Sequence, residues 1–259
     1  MSVIEILLAI GGGAVAGFIN TLAGSGTLIT LPILMFLGLP ANVANGTNRL
    51  GVLFQTVIST GAFLKQKEKI PKGIWWLVIP ALFGALLGAQ IAVDIQEEIL
   101  KGTIAVIMTL VLGLMFFNTQ KWLKEQDEID NNYRKPIALI AFFFIGIYGG
   151  FIQAGIGIVM LFVMVTIIGY TVNQSNIIKN ILVCCYTIPA LGIFIFNNQV
   201  SWKLGLLMMV GQGIGAWGAA IFATQSKHAN LWIRRLIILI LVTAIFELTG
   251  ARPLLYNLF

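Results

Sequence analysis

Long apolar runs separated by short polar loops set the pattern of this chain. The runs lie roughly at 3–23, 27–38, 42–64, 73–93, 99–118, 136–154, 156–170, 174–197, 202–223 and 231–249, and most approach the ~20 residues that carry a helix across a ~30 Å hydrocarbon core. Runs 27–38 and 156–170 are too short to cross at right angles. Each follows a glycine break, Gly24-Ser25-Gly26 in one case and Gly155-Ile156-Gly157 in the other. The pattern predicts an all-α, polytopic integral membrane protein whose brief loops leave no room for a soluble domain.

The two breaks are 131 residues apart, and the same offset recurs around them. Gly38 pairs with Gly169, Asn42 with Asn173, Asn45 with Asn176, and Asn48-Arg49 with Lys179-Asn180. Further along, Thr56 pairs with Thr187 and Phe63 with Phe194, and the stripe Gly84-Ala85, Gly88-Ala89 pairs with Gly215-Ala216, Ala219-Ala220. Small residues at spacing four let transmembrane helices approach closely. Before the break the offset is 133, pairing Gly17-Phe18-Ile19-Asn20 with Gly150-Phe151-Ile152-Gln153. These matches divide the chain into a first repeat at 1–118, a polar linker at 119–135 and a second repeat at 136–259, each repeat with about five apolar segments.

Charge then orients the repeats. Lys65, Lys67, Lys69 and Lys72 form a basic loop on the side of the linker, opposite the acidic connection Asp94 to Glu98, whereas in the second repeat the equivalent of that acidic connection is basic, Lys227 to Arg235. Basic loops stay on the cytoplasmic side, so the repeats are expected in opposite orientations, with broken or re-entrant helices at their interface, a cytoplasmic linker and both termini outside. Ten crossings, or fewer with two hairpins, both satisfy this pattern.

Composition narrows the function classes. Hydrophobic residues make up 58% of the chain and charged ones 10%, far below the ~25% charged of soluble proteins. The net charge of +6 is spread over loops and helix ends, which serves orientation and gives no nucleic-acid surface. Cys184 and Cys185 are adjacent in an apolar run, a placement for packing that supports neither a disulfide nor a metal site. The first run lacks a basic leader and a small-residue cleavage site, so it should remain as a span. His228 is the lone histidine and sits in a basic loop. With no HExxH, no Gly-x-Ser-x-Gly and no facing carboxylates, an enzyme is not expected, and no cofactor or metal is implied. Trp75, Trp76, Trp122, Trp202 and Trp232 stand near run ends as headgroup anchors, and Trp217, inside the small-residue stripe, is expected to fill a gap against a neighbouring helix.

The chemistry concentrates at the breaks. Glycine there permits unusual dihedrals and frees backbone N–H and C=O groups, which in lipid must be buried in protein or line a wet cavity. A simple tight turn is the competing reading of Gly24 to Gly26, and recurrence at Gly155 and Gly157 weighs against it. Asn45, Asn48 and Arg49 stand three and four apart, on one helix face. A helix start with free N–H groups and a nearby cation suits an anion. Snorkelling of Arg49 to the headgroups is the alternative.

Taken together, GGGAVAGFINTLAGSGTLITLPIL, GIYGGFIQAGIGIVMLFVM, the Gly-Leu-Pro-Ala-x-x-Ala-x-Gly-Thr-Asn-Arg run at 38–49 and Ser-Asn-Ile-Ile-Lys-Asn at 175–180 resemble the TauE/SafE sulfite exporter family, the TSUP family of membrane anion transporters, over essentially the whole chain. The resemblance implies export of sulfite, sulfoacetate or a related organosulfonate across the cytoplasmic membrane, without selecting one. On that reading Arg49 and Lys179 neutralise the substrate. Asn20, Gln153, Asn48, Asn176 and Asn180 donate hydrogen bonds, with Asn45 on the same face. Backbone N–H groups after Gly24 and Gly155, at the breaks closed by Gly26 and Gly157, complete a cradle, and Ser25 and Thr47 help on one side only. The second repeat has Ile156 and Ile178 where the first has Ser25 and Thr47. No Asp or Glu falls mid-span, so an inside-negative potential alone can drive an anion outward. The partners implied are the lipid bilayer and a small sulfur-containing anion. A fixed anion channel or a sulfur-oxyanion importer is the alternative, and the oligomeric state is left open.

Overall fold

The structure is a computed structural model that describes residues 1–65, 73–116 and 134–225. The expectations for the basic loops, the linker body, the run at 231–249, Trp122, His228 and Trp232 fall outside these residues. Among the described residues the chain is all-helical. Its elements are α1 (Val3–Ala23), α2 (Thr27–Phe36), α3 (Ala41–Lys65), α4 (Trp75–Asp94), α5 (Glu97–Phe116), α6 (Arg134–Phe151), α7 (Ile156–Val163, continued by a π-helical turn Met164–Ile168), α8 (Val172–Phe196) and α9 (Trp202–Gln225).

Four of these helices are long and apolar enough to cross a membrane: Val3–Leu22, Trp75–Asp94, Gln174–Phe196 and Trp202–Phe222. The chain is therefore a multi-pass membrane protein. Helix α3 has 25 residues, about 37 Å at 1.5 Å per residue, yet it is too polar to qualify on hydropathy. Its polar residues face inward, with Asn45, Thr47, Asn48, Arg49, Gln55, Thr56 and Ser59 all buried. It is a lining helix.

The short runs form the second arms of two hairpins. A Cβ added to Gly26 would lie 2.2 Å from the Ala16 carbonyl oxygen, and one added to Gly12 would lie 2.3 Å from Ile33 Cδ1, so α2 folds back along α1. Likewise Gly149 on α6 lies against Ile156 of α7, and Phe142 and Ile145 pack in one cluster with Met160, Val163, Met164 and Ile168. At 10 residues, α2 spans only about 15 Å. Left-handed glycines turn the chain at matching places: Gly24 (φ 70°) and Gly155 (φ 71°) open the short arms, Gly38 (φ 90°) and Gly169 (φ 85°) close them.

Two glycine seams hold the hairpins to the rest of the molecule. Along α1 and α9 an added Cβ at Gly17 would meet Gln212 O at 2.2 Å, and one at Gly215 would meet Ala14 O at 1.9 Å. Along α4 and α6 the corresponding distances are 1.9 Å from Gly88 to Ile147 O and 2.0 Å from Gly150 to Ala85 O. At these positions any larger residue would force the helices apart, so the seams depend on the absence of a side chain. Trp75 and Trp202 are exposed near helix starts, where anchors are expected. Trp217 departs from expectation. It is 60% exposed, because the small residues of its helix turn toward α1 and leave its ring on the outer face.

Candidate functional site

The hairpin tips meet. The Gly157 N–H donates to the Gly24 carbonyl at 3.1 Å, and a Cβ on either glycine would lie 2.3 Å from the other's Cα. Only backbone fits at this crossing.

Around it, one cation from each half of the chain reaches the end of the other half's first hairpin arm. Lys179, on α8, donates from Nζ to the carbonyls of Asn20 (3.3 Å) and Thr21 (3.1 Å) at the end of α1, and to Asn176 Oδ1 at 2.8 Å. Arg49, on α3, donates to the carbonyls of Gly149 (3.2 Å), Gly150 and Phe151 (3.4 Å) at the end of α6. Its guanidinium carbon lies 4.6 Å from the centre of the Phe194 ring. Asn45 Nδ2 donates to the same Phe151 carbonyl at 2.6 Å. The last carbonyls of a helix lack intrahelical partners and carry its negative end, so cations are stable there. Both are deeply buried, Arg49 at 0% and Lys179 at 2% exposure. The acidic residues in the described segments are Glu5, Asp94, Glu97 and Glu98, all at helix ends and distant in sequence from either cation. Two positive charges thus sit inside the protein on carbonyl oxygens and an amide, with no ion pair to a carboxylate among the described residues.

A cavity of about 10 Å³ opens beside Lys179, room for about one water molecule. Asn20, Gly24, Gln153, Gly157 and Asn180 line it with Lys179, as do Thr56, Ile156 and Val183. Gln153 donates from Nε2 to the hydroxyls of Tyr186 and Thr187, each at 3.2 Å. Its Oε1 and the Asn180 Nδ2 are buried without hydrogen-bond partners, the kind of unfilled capacity that an incoming polar ligand satisfies.

The structure therefore gathers one group of the expected residues at the cavity and places the others elsewhere. Asn176 touches Lys179 from behind. Asn48 lies in a separate polar cluster, accepting from Thr30 Oγ1 at 2.6 Å and from Gln212 Nε2 at 3.4 Å and donating to Thr27 Oγ1 at 3.3 Å. Thr47 Oγ1 accepts from the Ser201 N–H at 2.8 Å, and Ser25 Oγ is buried without a partner. N–H groups beyond the breaks find partners within the protein: Gly26 on Asn20 Oδ1 at 3.1 Å, Gly157 on Gly24, and Ile158 on the Gly155 carbonyl at 3.2 Å. The tips pack on each other, and that contact uses one of the donors expected to face a ligand, the Gly157 N–H.

Thr56, Tyr186 and Thr187 complete the surroundings of the cavity without having been singled out as ligands. Their signal was the repeat match of Thr56 with Thr187, hydroxyls recurring inside apolar runs. Gln55 is likewise buried, with both ends of its amide unpartnered.

Comparison with known proteins accords with this membrane architecture. The profile of the family described as Sulfite exporter TauE/SafE matches residues 9–248. A probable membrane transporter protein of Haemophilus influenzae is 30% identical over 216 residues, covering 83% of this chain and 84% of its own. The probable membrane transporter protein YfcA of Escherichia coli K12 is 33% identical over 208 residues, covering 78% of this chain and 74% of its own. A third, ORF9 of a Sinorhizobium species, is 28% identical over 236 residues, covering 89% and 87%. No solved structure matches the chain significantly. With a family profile spanning nearly its full length and relatives that share its length, this chain belongs to the TauE/SafE sulfite exporter family of membrane transporters.

Proposed function

We propose that the chain exports a small sulfur-containing anion, sulfite or an organosulfonate, across the cytoplasmic membrane by alternating access between two inverted repeats. The observation that carries this reading is a buried lysine beside a cavity, with no carboxylate among the described residues to balance it. An uncompensated buried charge is costly, and a bound anion relieves that cost. Lys179 holds the site from one repeat and the carbonyls of α1 from the other, so the ligand meets both repeats where they must separate. The meeting of two broken-helix tips follows the plan of secondary transporters, whose sites lie at the repeat interface and whose halves rock about them. In this reading the short hairpin arms are re-entrant, the polar linker is cytoplasmic, and the remaining predicted ligands, Arg49 among them, act on the framework of the site.

A cavity of about 10 Å³ has room for about one water molecule and must enlarge to admit an oxyanion, which favours a carrier that opens over a fixed channel. The driving force follows from the absence of acids mid-helix among the described residues: an inside-negative potential supplies about 2.3 kcal/mol per charge per 100 mV for anion exit. In proteoliposomes, efflux of labelled sulfite or an organosulfonate is expected to rise with imposed potential, to saturate, and to show counterflow. Abolition of flux by collapse of the pH gradient alone, at fixed potential, would overturn the driving force, and linear flux without counterflow would overturn the carrier.

A further inference from the structure

We propose that the cavity beside Lys179 selects by charge, accepting singly charged anions and rejecting doubly charged ones. This deepens the transport reading and rests on it, keeping hydrogensulfite and monosulfonates and setting aside dianions such as sulfoacetate. Among the described residues lining the cavity, Lys179 alone carries a charge. The other cation buried among the described residues is engaged elsewhere: Arg49 is spent on the carbonyls of Gly149, Gly150 and Phe151 and lies over Phe194. Lys65, Lys101, Lys135 and Lys203 are exposed at helix ends. Backbone donors bring no net charge, and the Gly26, Gly157 and Ile158 N–H groups are already engaged inside the protein.

What remains toward the cavity is neutral and mixed in sense. Asn180 offers an unpartnered N–H, and Gln153 a second unpartnered amide atom. Thr56 gives its hydroxyl proton to the carbonyls of Val52 (3.0 Å) or Leu53 (2.8 Å), so that proton is not free for an anionic oxygen. One ammonium balances one negative charge. A second charge on the ligand would be buried without a counter-ion, at a cost large enough to weaken binding by about 100-fold.

The repeat register supplies a way to reverse this selection. Asn180 is the counterpart of Arg49, and Lys179 of Asn48, so Asn180→Arg places the first repeat's cation at the second repeat's cavity. There it would stand beside Lys179 and admit a second negative charge.

Methanesulfonate and sulfate are matched in size and differ by one charge, and equilibrium binding of each to the purified full chain in nanodiscs tests the proposal. Wild type is expected to bind methanesulfonate about 100-fold more tightly than sulfate; Asn180→Arg should narrow that ratio at least tenfold, and Lys179→Gln should lose both ligands. Sulfate binding within threefold of methanesulfonate, with both lost in Lys179→Gln, would overturn charge selection and leave the transport site standing. Failure of wild type to bind either, or unaltered binding by Lys179→Gln, would overturn the site and the selection with it. Should Asn180→Arg not fold, the wild-type current gives a second measure: the ratio of transported charge to labelled sulfonate is expected to be one, and sulfate is expected to carry no current.

Discussion

Arg49 and Lys179 perform the same task on opposite sides of the hairpin crossing, yet their surroundings differ in kind. Each is buried, and each takes the end carbonyls of the other repeat's first hairpin arm. Arg49 is closed in. Its planar fork spreads over consecutive carbonyls, its face covers Phe194, and Asn45 shares its acceptor. Lys179 is a point charge with a cavity at its side, backed by one amide and flanked by an unpartnered one. Guanidinium suits a fixed framework of several acceptors, whereas a compact ammonium can transfer to a new partner with little rearrangement. On the proposed transport reading, the comparison teaches that one copy of a duplicated device serves as framework and the other as site.

If that division is right, the two cations must fail differently. Lys179→Gln should lower substrate flux by about 100-fold, the loss of a charge-assisted bond to the ligand, while the protein still purifies and unfolds cooperatively. Arg49→Gln should instead strand carbonyls at the end of α6 and lower stability by about 3 kcal/mol, read from the thermal midpoint with methanesulfonate present and absent. A retained shift by ligand in whatever Arg49→Gln protein folds would sharpen the contrast. Equal flux loss at equal stability in both variants would break it.

A smaller effect separates the two supporting amides. Asn176→Ala frees one donor of Lys179 and is expected to change flux about tenfold with stability altered by no more than about 1 kcal/mol. Asn45→Ala removes a donor to the Phe151 carbonyl and should reverse the pattern, costing about 1 kcal/mol of stability with flux nearly intact. Thermal unfolding and proteoliposome efflux of the same preparations decide between them.

Much of this arrangement was legible in the chain because membrane solvent punishes polar groups so heavily. Asn20, Gln153, Arg49 and Lys179 stood out as polar residues inside apolar runs, and the 131-residue offset tied Gly24 to Gly155 before any coordinates placed their tips together. The helix boundaries followed too, since Gly38 and Gly169 end their short arms in left-handed turns. Partner choice was not legible. Carbonyl oxygens carry no residue code, so nothing in the sequence marks Gly149 and Gly150 as acceptors for Arg49, or Asn20 and Thr21 as acceptors for Lys179. The inward turn of α3 was hidden for a similar reason: its polar residues depress its hydropathy, and only tertiary packing shows that they face protein. Trp217 was read from its small neighbours, but those neighbours mark one face of α9 and its ring occupies the other.

The last effect, small in flux, probes the closed side of the comparison. Phe194 lies at 0% exposure with its ring 4.6 Å from the Arg49 guanidinium carbon, and its ring also abuts Gly46 on the same helix as Arg49. Phe194→Leu keeps an apolar side chain there but removes the aromatic face, so the loss isolates the cation–π contact and some packing. Stability should fall by about 1–2 kcal/mol, given the desolvated setting, and flux should change by less than about twofold. The matched control is Phe194→Leu in an Arg49→Lys background. An ammonium cannot repeat the flat stacking and forked bonding of guanidinium, so the second substitution should cost less there than in wild type, and the difference between the two costs is the coupling of ring to cation. Additive costs would mean that Phe194 only fills space, and the closed framework around Arg49 would then rest on its carbonyl bonds alone.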